Sequence, residues 1–409
     1  MNIGLFAQHI CSLKGGIERA TARLSAWLAE RGHHCVIYHW DRADGAPQYS
    51  LHPAVQTCPL PLHTPQGFAR SRERLLADRP DVFCCALGSK HRTLFLQLFH
   101  NTGIPLLMSE RVAPATVEKS FMPRRERLAC FAGADGIHLL SASYLDSLPP
   151  FLRERATVIP NAAPPARAID WSRREGPRKV ILGVGRLEEP QKKFSLLFQA
   201  FAMLAKRFPD WDCHICGAGD ARAHYERLVA GYGLTERVVL RGAVDDMDAA
   251  YASAGIFCMP SAYEGSPNAL LEAQSYGLPS VGFADCGGVN DIIVDGENGF
   301  LLNRRTAAAL AEVLAALMGD AQLRRRMSLG AQRLISRYDP EAIFSQWEAL
   351  LARVAATKGQ TQLNCDLAAP DGQEDVELCL RNLLRHDGAF EFRQNMGKIL
   401  DAHRNRRRV

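Results

Sequence analysis

Three short stretches of this 409-residue chain carry side chains whose types and spacing suit chemistry at a phosphate. The most informative is Tyr263-Glu264-Gly265-Ser266-Pro267-Asn268-Ala269-Leu270-Leu271-Glu272. Pro267 suits the first turn of a helix, where its missing N–H costs nothing. Glu264 then stands just before the helix, and Glu272 about one and a half turns inside it. Gly265, Ser266 and Asn268 surround an N-terminus whose open N–H groups and partial positive charge suit phosphate or sugar hydroxyls. A carboxylate beside it accepts hydrogen bonds from sugar or ribose hydroxyls. The bland alternative is a capping acid and a surface acid.

The second stretch is Gly185-Arg186-Leu187-Glu188-Glu189-Pro190-Gln191-Lys192-Lys193, which follows an apolar run. A diphosphate leaving group gains negative charge as its bond to a sugar breaks. Arg186 can clamp it with a planar fork and Lys192 with a point charge, in place of a divalent metal. The bland alternative is a solvated charge run. The third, Lys14-Gly15-Gly16-Ile17-Glu18-Arg19, joins an apolar run to a helical one. Its glycines let backbone approach an anion at a helix N-terminus; a plain turn would look the same.

These stretches need strands to end where they begin. In the first half, strands are expected at Asn2–Ala7, Cys35–His39, Val82–Leu87, Pro105–Met108 and Gly136–Leu140. A helix is expected over Ile17–Arg31, stopped by Gly32. Asn161–Gly176, rich in Pro, Ala and Arg, reads as a linker. A second alternating series follows: strands at Lys179–Val184, Asp212–Cys216, Val238–Arg241, Ile256–Met259 and Ser280–Phe283, with helices at Ser195–Phe208, Ala221–Tyr232, Asp246–Ser253 and Pro267–Tyr276. Strands alternating with helices predict parallel sheets covered on both faces. The expected fold is α/β, with two Rossmann-like, doubly wound domains facing a shared cleft, residues 1–165 and 166–340. A crossover helix at 341–356 and an extension at 357–409 complete the chain. In the extension Thr357–Gln373 is polar, Val376–Leu384 can dock as a helix, and Arg404–Arg408 is a basic tail.

Hydrophobic residues at 47% and charged residues at 23% are those of a globular protein, and no run of about 18 apolar residues predicts a membrane span. Asn2–Ala7 lacks the basic flank and cleavage site of a signal peptide, so the cytoplasm is the expected place. A net charge of +5 is too small to point to nucleic acid. The positive charge is clustered, at Arg70, Arg72 and Arg74, at Arg124, Arg125 and Arg127, and at Arg153 and Arg155. Phe121–Phe131 mixes basic and apolar residues at helical spacing, which suits an anionic membrane surface or a solvated helix face. Cys213 and Cys216 have metal-like spacing but no further ligands nearby, so they read as a buried strand.

The order of these motifs resembles one family. Gly-Arg-Leu followed by Lys192, then Gly217-Ala218-Gly219, then Glu264 and Glu272 in a Glu-x7-Glu run, is similar to the family-4-type retaining glycosyltransferases of GT-B architecture. The resemblance covers roughly residues 1–350 and is densest from Val184 to Leu302, where Asn298-Gly299-Phe300-Leu301 also matches. It implies that Gly15 and Gly16 face the donor phosphate, that Arg186 and Lys192 hold the diphosphate, and that Glu264 lies near the transferred sugar. Glu272 would bind the ribose, and Arg241–Val244 would line the base pocket. Gly217, Gly265, Ser266, Asn268, Ala269 and Leu270 complete the expected donor site, and Gly287-Gly288 would form a flexible loop beside it.

Many relatives place a histidine in the first domain where this chain has Met108-Ser109-Glu110-Arg111. Ser-Glu-Arg resembles a subgroup acting on lipid-linked or polysaccharide acceptors. Glu110 or Arg111 would touch acceptor or donor sugar, with Glu110 as a catalytic candidate and Arg111 and Glu18 on the acceptor side. A structural salt bridge across the cleft is the alternative. His9 and His100 read as bystanders. The implied reaction moves a hexose or N-acetylhexosamine from a nucleotide diphosphate sugar, UDP by family frequency, to a glycan or lipid-linked acceptor. It proceeds with retention and without cofactor or metal; the cytoplasm is its expected place, and the arginine clusters would suit the inner face of the cytoplasmic membrane. The rival readings are a nucleotide-sugar 2-epimerase and an inactive donor-binding scaffold.

Overall fold

The computed structural model describes residues 1–12, 15–40, 45–62, 64–87 and 91–358, and beyond them Val376, Cys379, Leu380 and Leu384. The chain divides into two compact units, Met1–Ile159 with the chain from Phe344 onward, and Pro160–Ile343.

The first unit holds β1 (Asn2–Phe6), β2 (His34–His39), β3 (Gln56–Pro59), β4 (Val82–Leu87), β5 (Leu106–Glu110), β6 (Gly136–Leu139) and β7 (Ala156–Val158). They form one parallel sheet in the order β3-β2-β1-β4-β5-β6-β7. Its core gathers Phe6, Phe83, Phe95 and Phe99, all fully buried. The second unit holds β8 (Lys179–Val184), β9 (Trp211–Cys216), β10 (Val238–Gly242), β11 (Ile256–Cys258), β12 (Ser280–Phe283) and β13 (Gly299–Leu302). They run parallel in the order β10-β9-β8-β11-β12-β13. In each sheet the winding reverses beside its first strand, β1 or β8. Open sheets of this kind bind ligands beyond the carboxyl ends of the strands at such a reversal.

The expected doubly wound α/β class holds for each unit. Three edge strands, β3, β7 and β13, were not expected; β3, Gln-Thr-Cys-Pro, is short and polar and ends in proline, which edges tolerate. β5 runs two residues further than expected, so Ser109 and Glu110 are strand residues. The helix Gly16–Glu30 is followed by Gly32 in the left-handed region at φ +83°. Cys84, Cys85, Cys213, Cys216 and Cys258 are buried thiols on their strands.

The boundary falls after Ile159, not after residue 165. Asn161 Nδ2 donates to the Ser266 carbonyl at 2.8 Å, and the Ala163 N–H donates to the Tyr338 carbonyl at 2.8 Å. Those bonds tie the start of the expected linker to the second unit. The helix Pro340–Ala355 carries the chain back to the first unit. Its Trp347 stacks on His138 at 4.2 Å, and its Val354 packs where Gly136 leaves room; a Cβ there would come within 2.5 Å. Val376, Cys379, Leu380 and Leu384 are helical and pack on the first core, as expected of Val376–Leu384. The rest of that segment, the polar stretch after Lys358 and the basic tail lie outside the described residues. Among the described residues no helix is long and apolar enough to cross a membrane.

Candidate functional site

The carboxyl edge of the second sheet is stitched together by backbone. The Gly185 N–H donates to the Cys216 carbonyl at 3.0 Å, and the Gly217 N–H donates to the Gly242 carbonyl at 2.7 Å. The Leu187 N–H donates to the Ala218 carbonyl at 2.9 Å. Gly217 sits at φ +147°, and a Cβ on it would lie 1.9 Å from the Gly185 carbonyl oxygen. Gly217, expected as part of the donor site, is required by the close contact of the β8 and β9 ends. Gly217→Ala is expected to prise this edge apart. It should lower the thermal midpoint by several degrees, as steric insertion costs about 1–3 kcal/mol, and weaken nucleotide binding. Calorimetry on the variant reads both.

After Arg186, residues Glu189–Lys192 form one helical turn, ended by Lys193 in the left-handed region at φ +53°. This turn is laced to the segment before the Asn268–Ser275 helix. The Ala262 N–H donates to the Gln191 carbonyl at 2.7 Å, and Gln191 Nε2 donates to the Tyr263 carbonyl at 3.2 Å. Lys192 Nζ reaches Glu264 Oε1 at 2.6 Å, with the two side chains only 13% and 8% exposed. Gly185 leaves the lane for Lys192, since a Cβ there would meet its Cε at 2.9 Å. Two residues 72 positions apart, each a candidate on its own motif, therefore meet. Arg186 remains exposed at the same edge, its Nη1 2.8 Å from Glu188 Oε1.

Pro267 is the N-cap of the Asn268–Ser275 helix, one position before the expected first turn. Ser266 is held by Asn161, whose N–H donates to its hydroxyl at 3.3 Å. Gly265 and Gly288 press together: a Cβ on Gly288 would lie 2.0 Å from the Gly265 carbonyl. Gly287–Val289 is therefore a packed 3₁₀ turn, not the flexible loop expected. Arg305 supports the same place, donating to the Pro260 and Ser261 carbonyls at 2.8 Å each and to Asp285. Asn268 and Ala269 are half-buried at the helix start. Leu270 is fully buried among Leu271, Ala273 and Phe257, so its side chain belongs to the core. Glu272 is 9% exposed, and its Oε2 accepts from the Tyr251 hydroxyl at 2.8 Å. The two carboxylates are thus neither capping nor surface acids. Val244 is half-buried against this core, and Arg241 is exposed at the end of β10.

In the first unit, Gly15 is the N-cap of Gly16–Glu30 and Gly16 its first residue. Gly15 has an ordinary extended backbone, φ −107°, so no left-handed turn demands it. Lys14 lies outside the described residues. Glu18 is 4% exposed, and its carboxylate acts on Arg111. Burial pulls the Arg111 guanidinium down to about 10, against the opposing pull of Cys84 and Glu18. The two acceptor-side candidates are therefore electrostatic neighbours.

Glu110 is different. It is fully buried on β5, with Oε1 2.6 Å from Arg92 Nη1 and Oε2 2.5 Å from Arg127 Nη2. Burial alone would push its carboxyl up, but Arg92 and Arg127 hold it below the usual carboxylate range. A carboxylate gripped on both oxygens inside one unit is structural, and this corrects the catalytic expectation. Arg127 corrects another. It has no exposed surface and sits between Glu110 and Glu118, while Leu128 and Phe131 of the same helix face the core. Of the stretch Phe121–Phe131, Phe121, Pro123, Arg124 and Arg125 are exposed. Arg72 donates to the Gln97, Leu98 and His100 carbonyls, and Arg153 and Arg155 likewise donate to backbone. Arg72, Arg127 and Arg155 are therefore spent inside the fold, while Arg70, Arg74, Arg124, Arg125 and Arg153 stay exposed.

His138, on β6, was not singled out by its neighbours in sequence. Its Nε2 donates to the Ile159 carbonyl at 2.8 Å, so its Nδ1 is the acceptor for the Ser109 hydroxyl at 2.7 Å. This is a neutral ring, and burial, aided by Arg111, pushes it down to about 3. Unfolding exposes a histidine that protonates near 6.5. Stability from this group is complete above that pH and drains as pH falls from 6.5 towards 3. The unfolding free energy from urea titrations should fall with acid over that window, by at most about 1.4 kcal/mol per pH unit. His138→Gln should flatten the slope.

Two family matches cover most of the two units. Residues 15–162 match the glycosyl transferase 4-like domain, and residues 178–320 match glycosyl transferases group 1. An uncharacterized glycosyltransferase of Haemophilus influenzae is 31% identical over 173 residues, 42% of this chain. The chain spans about half, 49%, of that relative's length. The amylovoran biosynthesis glycosyltransferase AmsD of Erwinia amylovora is 25% identical over 353 residues, 83% of this chain and 97% of the relative. Among solved structures, Anabaena HepE in complex with UDP and glucose superimposes with a TM-score of 0.71 at 18% identity, covering 86% of this chain and 99% of that one. With each matched segment coinciding with one Rossmann-like unit, the chain belongs to the group 1, family-4-type glycosyltransferases of GT-B fold.

Proposed function

We propose that this protein transfers a hexose or N-acetylhexosamine from a nucleoside diphosphate sugar to a glycan or lipid-linked acceptor in polysaccharide or glycolipid assembly. The observation that carries the reading is the Lys192–Glu264 pair at the carboxyl edge of the second sheet, with Arg186 beside it and the Asn268–Ser275 helix next to it. UDP is the proposed carrier; HepE, of the same fold, was solved with UDP and glucose. The role of AmsD in amylovoran biosynthesis supports a polysaccharide product.

In this reading the diphosphate takes Lys192 over from Glu264, and the exposed Arg186 folds onto the same anion. As the bond from the sugar's anomeric carbon to phosphate oxygen breaks, both cations meet the charge that develops, which lowers the barrier. The acceptor hydroxyl attacks from the face the diphosphate leaves, and its proton passes to the departing phosphate oxygen. The anomeric configuration is retained, and no metal is needed because two cations already face the leaving group. Glu264, released from Lys192, accepts from a hydroxyl of the transferred sugar, and Glu272 accepts from the ribose.

The test is release of nucleoside diphosphate from a panel of nucleotide sugars in chelator, with and without lipid-linked glycans. One donor is expected to hydrolyse slowly and to turn over faster with its acceptor. Accumulation of an epimer in the absence of acceptor would instead establish the epimerase. Donor binding by calorimetry without any turnover would make the chain a scaffold, and no binding at all would end the donor reading.

A further inference from the structure

Tyr251 is buried, 1% exposed, on the helix Met247–Ser253 that follows β10. Its hydroxyl donates to Glu272 Oε2 at 2.8 Å. Nothing in the motifs marks it, because it precedes Glu272 by 21 positions and lies on another helix. The ring is clamped. It stacks on Tyr276 at 5.5 Å and 22°, and packs against Phe257 at 6.3 Å. Tyr276 is itself hydrogen-bonded to Asp248 of the Tyr251 helix, and Asp246 caps that helix by accepting from the Ala249 N–H at 3.0 Å.

A phenol is an economical partner for a carboxylate that must bind something else. It donates one hydrogen bond to an anion with about four acceptor positions, and unlike an arginine it does not neutralise the charge. It also fixes the rotamer, and a vicinal diol is recognised well only by a carboxylate held in one orientation. We propose that Tyr251 is a positioning residue for nucleotide recognition: by holding Oε2 of Glu272, it aims that carboxylate at the ribose and sets the preference for ribonucleotides over deoxyribonucleotides. The inference rests on the donor reading above.

Binding of UDP and GDP, and of their 2′-deoxy forms, is measured by calorimetry on the whole chain. The wild-type protein is expected to prefer one ribonucleotide over its deoxy form by about tenfold or more, as hydrogen bonds to a charged group allow. In Tyr251→Phe that ribonucleotide should weaken by about tenfold. Its deoxy form should change by no more than about twofold, so the preference collapses. KM for the donor should rise with kcat nearly unchanged. Glu272→Gln, which leaves Tyr251 in place, should lose the same preference by the direct route. A preference that survives in Tyr251→Phe, whether both affinities are unchanged or both fall equally, overturns the inference and leaves Tyr251 as packing. A wild-type preference near unity overturns it too. If the wild-type chain binds no nucleoside diphosphate, the donor reading falls first and this inference with it.

Discussion

Lys192→Ala is expected to slow transfer by about 100- to 1000-fold, the usual cost of removing one preorganised group from a developing oxyanion. The reason is placement. Lys192 is 13% exposed, held over Gly185 and facing Glu264 at 2.6 Å, so its charge acts in a partly dry setting where it is worth more than in water. The loss should appear in kcat, because the charge on the leaving group is largest in the transition state. The same substitution takes away the cation that faces a buried carboxylate, so the thermal midpoint should fall a few degrees. The double variant Lys192→Ala/Glu264→Gln should recover that stability and none of the rate. Diphosphate release in steady state, alongside a melt of each variant, separates the two effects. Wild-type turnover in Lys192→Ala would remove the clamp.

Glu110→Ala is expected to do the reverse, destroying stability before chemistry. It leaves Arg92, 1% exposed, and Arg127, with no exposure at all, facing each other without the carboxylate between them. Breaking a buried ion pair from one side costs about 3–5 kcal/mol. For a unit of this size that is about 10 °C in midpoint, enough to lower soluble yield. Part of the cost is softened by Glu118, 3.0 Å from Arg127, and by Phe131, over which both guanidiniums lie. Urea denaturation measures the loss. A variant with the wild-type midpoint and no transfer would return Glu110 to the catalytic machinery.

Those two outcomes trace the limits of reading residues along a line. Lys192 and Glu264 each stood out locally, because a cation after a strand and a carboxylate before a helix end where ligands bind. Local order also predicted both alternating series, most strand positions and the glycines that end them, since apolar runs, caps and turn residues act within a few positions. What failed was long-range. Ser-Glu-Arg looked like a site because nothing in sequence says that Arg92 and Arg127 converge on Glu110 from two helices. Phe121–Phe131 read as a membrane-facing or a solvated helix face, and local periodicity could not show that Arg127 turns inward to Glu110 and Glu118.

The chain's order of motifs, then, was enough to determine its family, its doubly wound class and the edge of the second sheet where Arg186, Lys192 and Glu264 gather. The tertiary structure alone decided that Lys192 meets Glu264, that Tyr251 holds Glu272, and that His138 is a neutral buried ring. It also decided that Leu270 and Glu110 serve the fold. The division is physical. Backbone preferences and turn chemistry are set by neighbours in sequence, whereas burial, charge pairing and the protonation they impose depend on side chains brought together from tens of residues away.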